Sequence, residues 1–115
     1  MRLRRAATVA ATALALALSL PASSAGAATG TFSYVYEDLG GGSHLSVLPD
    51  PPSRQCITLS KVASESAPPS HSPRNDTGST ATVFTGAHCD GDYFTLRPNG
   101  GHASERLKLR SVVFS

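Results

Sequence analysis

The first 27 residues read as a segment separate from the folded domain, and this subtraction constrains the rest of the chain more than any other feature. Arg2, Arg4 and Arg5 form a positive start and Ala6 to Leu20 an apolar run. Pro21 breaks that run before the small-residue stretch Ala22 to Ala28. This is the layout of a cleaved export signal. The apolar run is 15 residues long, short of the roughly 20 needed to span a bilayer. No Cys lies near the cut, and Ala6-Ala7-Thr8 lacks the bulky apolar pair expected after a twin-arginine motif, so Sec-type export is expected. Ala25-Gly26-Ala27 places the cut after Ala27; a cut one residue later or two earlier keeps the same small-residue pattern.

A single domain over residues 28–115 follows, 88 residues once 27 are removed from 115. Its core is thin, because a short chain buries a smaller share of its surface than a long one. Ten Lys and Arg less the three in the leader leaves seven against eight Asp and Glu. The mature charge is therefore near −1, which gives no reason to expect nucleic acid or an anionic membrane as partner.

Cys56 and Cys89 are the two cysteines, with 32 residues between them. In an oxidising compartment they are expected to form one disulfide, worth roughly 3 to 4 kcal/mol by the chain-entropy argument. A nucleophilic Cys beside His88 would need a free thiolate, and neither Cys has a CxxC partner for a metal.

Alternation predicts a strand at Thr31 to Tyr36, with Phe32, Tyr34 and Tyr36 on one face, and a second at His44 to Leu48, with Leu45 and Val47 together. Cys56–Val62, Thr80–Thr85, Asp92–Arg97 and Arg106–Phe114 give four more. Between them, Ala63 to Ser79 holds three prolines and five serines and only small apolar residues, and reads as a mobile loop. Asn75-Asp76-Thr77 matches a glycosylation acceptor. Six short strands with Gly and Pro turns, and no helical periodicity after the leader, predict an all-β Greek-key sandwich or barrel.

Phe84-Thr85-Gly86-Ala87-His88-Cys89-Asp90-Gly91, followed by Ser111, resembles one Greek-key unit of the βγ-crystallin-like proteins, which include small secreted actinobacterial members. The resemblance covers residues 80–115, with a weaker copy at 34–48. It implies a folded hairpin in which Gly91 adopts a conformation open to glycine while Phe84 packs over the bend. Cys89 stands where an aromatic is usual. The calcium-binding members place an acidic or Asn pair before their Ser pair; here Arg106-Leu107-Lys108-Leu109-Arg110-Ser111 offers cations instead.

The candidate sites are modest. Asp90 and Asp92 have the alternating spacing of oxygen ligands for Ca²⁺, against a plain polar turn. Arg106, Lys108 and Arg110 alternate with Leu107 and Leu109, giving either a patch for an acidic partner or a solvated strand face. His44, His71, His88 and His102 lie apart with no HExxH, and no Ser sits in GxSxG. No catalytic residue, cofactor or metal is therefore expected. Tyr34, Tyr36 and Tyr93 read as core or strand-pair residues rather than a sugar-binding face. The expectation is a secreted, monomeric, non-enzymatic β-domain that binds an extracellular protein or polymer. The alternatives are a protease inhibitor, baiting with the Pro-Ser segment or Pro49–Arg54, and a weak calcium-binding module.

Overall fold

The computed structural model describes residues 26–115, so the expected export signal lies outside the described residues except for Gly26 and Ala27. The described residues form nine strands: β1 (Gly30–Glu37), β2 (Ser43–Pro49), β3 (Ile57–Thr58), β4 (Ser70–Thr77), β5 (Ala81–Phe84), β6 (Tyr93–Leu96), β7 (Gly101–His102), β8 (Lys108–Leu109) and β9 (Ser111–Phe114). One 3-10 turn, Ser60–Val62, follows β3. All pairing is antiparallel. One sheet runs β2-β1-β4-β7, with β8 also on β4, and the other runs β3-β9-β5-β6.

The alternation expected of the first strand orders the core. Phe32 and Tyr34 of β1 are fully buried and meet Leu59, Val62, Val83, Leu96, Leu109, Val112 and Phe114. The rings of Phe32 and Phe114 meet edge to face, centroids 5.4 Å apart, so the two sheets touch through aromatic contact as well as aliphatic burial. The expected disulfide is present, Cys56 to Cys89 with Cα atoms 5.9 Å apart. It pins the entry of β3 to the β5–β6 hairpin.

That hairpin is held from outside. Ser111 Oγ donates to the Gly86 carbonyl at 2.5 Å and accepts from the Cys89 N–H at 2.9 Å. Gly91 has φ +85, and a Cβ there would lie 2.4 Å from Thr85 Oγ1, so both conformation and space demand glycine. Phe84 faces Tyr93 across the pair at 6.3 Å.

Three expectations need correction. The segment 63–79 is not a mobile loop throughout: Ser70–Thr77 is β4, paired with β1 on one side and with β7 and β8 on the other. Its buried positions, Ser70, Pro73, Asn75 and Thr77, are polar or imino residues, and hydrogen bonds do there what apolar surface does elsewhere. Ser70 Oγ donates to Leu109 O at 2.6 Å, and Asn75 Nδ2 donates to the carbonyls of Ser79, Leu96 and Arg97. Pro73, which has no N–H to give, is tolerated because the ladder is irregular here: the β1 register shifts between Ser33 and Val35, and Ser72 has φ +50.

The other two corrections concern strand limits. Cys56–Val62 yields only the two-residue β3 before the chain turns into the 3-10 segment. Arg106–Phe114 is not one strand. It pairs with β4 in the first sheet at Lys108–Leu109, breaks at Arg110, and continues in the second sheet as Ser111–Phe114. Arg110 marks the corner where the chain changes sheets.

Candidate binding surfaces

Among the described residues β2 is an edge strand, paired only with β1. Leu45 and Val47 do share a face, as expected, but it is the face turned from the core: they are 66% and 47% exposed. Leu45 pairs with the half-buried Val35, and Leu39 stands almost wholly exposed at the hairpin tip. The strand, SHLSVLP, carries no Asp, Glu, Lys or Arg to guard its edge from a new partner, and its one proline, Pro49, stands at the very end.

The far end of β2 runs into a crevice of about 280 Å³ lined by Leu48, Pro49, Pro51, Pro52, Gln55, Cys56 and Ile57. Its walls are mostly apolar. The loop beside it is tightly braced. Ala28 N–H donates to Pro51 O at 2.7 Å, Asp50 N–H to Gly30 O at 2.7 Å, and Arg54 N–H to Phe114 O at 2.7 Å. Gly30 N–H closes on Asp50 Oδ1 at 2.8 Å.

At the near end of β2 the hairpin is tied by side chains. Asp38 Oδ1 accepts from the N–H groups of Gly40 and Gly42 at 2.9 and 2.8 Å, and Oδ2 lies 2.6 Å from His44 Nε2. The His44 contact, followed by the Gly42 N–H, holds the Asp38 carboxyl below its ordinary value. Glu37 Oε2 meets His71 Nε2 at 3.0 Å and accepts from Ser43 Oγ at 3.1 Å; these two bonds lower its pKa in that order. The His44 ring stacks on Tyr36 at 5.4 Å.

His71 also reaches Ser72 Oγ through Nδ1 at 2.9 Å. A hydroxyl, an imidazole and a carboxylate thus follow one another as a nucleophile, a base and an orienting group do. Ser72 is half-buried at the β4 irregularity, however, and the crevice beyond β2 and the one between β6 and β7 are lined by other residues. The contacts clasp the end of β1 to β4 across the bulge.

The sites expected from sequence are less connected. Asp90 and Asp92 sit in the exposed turn of the β5–β6 hairpin. The Asp90 main-chain oxygen accepts from Gly86 N–H at 2.9 Å, and Asp92 N–H donates to Thr85 Oγ1 at 2.9 Å. Among the described residues no group of three or more His, Cys, Asp or Glu side chains could hold a metal ion. Arg106 and Lys108 are exposed, but Arg110 is half-buried and its guanidinium is spent on main-chain oxygens of the loop after β3. The three cations therefore do not form one free patch. Asn75 is fully buried, which removes it as a glycan acceptor. His88 and His102 remain exposed and apart from the hairpin cluster.

As bait for a protease, the Pro-Ser segment loses its second half to β4. The Pro49–Arg54 loop has the bracing a bait needs, yet Asp50 and Arg54 have φ of +43 and +63. A backbone in that left-handed region does not present the extended strand to which a groove can add.

No family model matches the chain, and no curated protein or solved structure matches it. Among the described residues, no helix is long and apolar enough to cross a membrane.

Proposed function

We propose that this protein is an exported, non-enzymatic binding module that takes up an extended, apolar-alternating segment of another protein along β2. The observation that carries this reading is one continuous feature: a seven-residue, uncharged edge strand with Leu45 and Val47 exposed, ending at a proline-walled crevice. Strand addition supplies main-chain hydrogen bonds to the unpaired rim, while alternate side chains of the guest meet Leu45 and Val47. The crevice has the size and walls for one larger apolar side chain. The export signal expected from the sequence and the disulfide suit an extracellular setting.

Selection of a random peptide library on the oxidised protein tests this reading. Peptides with alternating apolar residues should be enriched, and Val47→Lys and Leu45→Lys should abolish their capture. Equal capture by both variants, or enrichment of no common pattern, would remove β2 as the contact surface.

A further inference from the structure

A second crevice, of about 270 Å³, opens on the opposite side of the molecule between β6 and β7, lined by Phe94, Thr95, Leu96, Arg97, Gly101 and His102. Both strands are sheet edges, β6 of one sheet and β7 of the other. Main-chain donors and acceptors therefore line its rim. Leu96 is buried at the floor, whereas Phe94 is 47% exposed although it shares the core-facing side of β6. A half-open aromatic face is offered to whatever enters.

The crevice is built rather than accidental. Gly101 packs so closely on Arg97 that a Cβ would lie 2.4 Å from its carbonyl oxygen and 2.7 Å from its nitrogen, so a side chain there would force the strands apart. The buried Asn75 amide holds the Leu96 and Arg97 carbonyls at 3.3 and 3.1 Å and fixes where β6 ends. His102 Nδ1 lies 3.0 Å from Gly100 O, which in the neutral ring makes Nδ1 the donor and leaves Nε2 as an acceptor.

Charge selects the ligand. The lining includes Arg97 and His102 and no carboxylate. The neighbouring Arg74 is already paired with Asp76 at 2.8 Å and adds little net field. A guanidinium fork suits a carboxylate, an aromatic face suits the apolar side of a pyranose, and the free main-chain groups of the edges with His102 suit hydroxyls. The volume accommodates about one sugar ring.

We infer that the β6–β7 crevice binds one uronic acid unit of an acidic polysaccharide, with Arg97 on the carboxylate, Phe94 under the ring and His102 on a hydroxyl. The site is separate from β2 and does not depend on peptide binding there. Calorimetric titration of the oxidised protein with trigalacturonate, and with neutral maltotriose as comparison, tests it. Trigalacturonate should bind, maltotriose about tenfold more weakly or not at all, and Arg97→Ala should cost about tenfold. Phe94→Ala should weaken binding too; since that variant could lose the fold, the exposed Arg97 carries the decisive comparison, with circular dichroism confirming structure. Leu45→Lys should leave the affinity unchanged. No heat with trigalacturonate, equal affinity for maltotriose, or binding indifferent to Arg97→Ala would each overturn the assignment.

Discussion

Arg110 and Val62, 48 positions apart, are joined by a guanidinium to carbonyl hydrogen bond of 2.9 Å, and the same guanidinium reaches Ser64 O and Ala67 O at 2.8 Å each. One side chain thereby ties the sheet-switching corner to the loop between β3 and β4. Arg110→Ala should destabilise the protein by about 1 to 3 kcal/mol, because main-chain acceptors lose a charged donor. Arg106→Ala should stay within about 0.5 kcal/mol, as an exposed side chain does. Urea unfolding of the two variants separates them; equal midpoints would show that the Arg110 bonds contribute nothing net.

Asn75 concentrates more bonding than any other polar residue in the core: its amide serves three carbonyls, and its oxygen accepts from the N–H and hydroxyl of Thr77. Asn75→Ala should cost on the order of 3 kcal/mol, since several buried groups lose their partner at once. Expressed in a glycosylating host, the folded protein should carry no glycan at Asn75. A mass increment of a glycan at full stability would contradict this burial.

Ala28 is 1% exposed, its N–H donates to Pro51 O, and Ala27 forms a bridge with Pro52. A cut after Ala27 would remove the Ala27–Pro52 bridge and the bond from Ser53 N–H to Gly26 O. The cut two residues earlier, after Ala25, leaves Gly26 first and retains the bond from Ser53 N–H to Gly26 O at 3.1 Å. Intact mass of exported protein should therefore correspond to a chain beginning at Gly26; a chain beginning at Ala28 would contradict the argument.

Glu37 and Asp38 both have carboxyl groups held below their ordinary values of 4.5 and 3.8, by His71 and Ser43 and by His44 and the Gly42 N–H respectively. A group easier to ionise when folded favours the folded state above its unfolded value, and that contribution disappears as pH falls through the folded value. The urea midpoint should thus decline as pH drops from about 5 towards 3, and less so in Glu37→Gln. An identical decline in both proteins would dissociate Glu37 from the effect.

How far the sequence foretells this molecule depends on whether apolar surface marks the buried side. β1 is legible because Phe32 and Tyr34 alternate with Thr31 and Ser33. β4 is illegible because Ser70, Pro73, Asn75 and Thr77 fill its buried positions, and satisfied hydrogen bonds leave no trace in hydropathy. The break at Arg110 is hidden because both halves of 106–114 remain extended with apolar alternation while changing sheets. The disulfide was readable from count and compartment alone. For Leu45 and Val47 the rule of apolar residues inside fails, and such a failure at a sheet edge is where a partner is expected. Both crevices are local in the chain, within residues 48–57 and 94–102, yet hydropathy does not mark them, because each forms where the chain passes between the edges of the two sheets.

The account rests on β2 as the edge that receives a guest strand. Amide spectra of the ¹⁵N-labelled oxidised protein, with and without the tightest peptide from the library selection, test it most directly. Shifts and slowed exchange should concentrate at Ser43 to Leu48, with smaller changes at Val35 and around Ile57. Changes confined to β6 and β7, or a spectrum unaltered at saturating peptide, would contradict it.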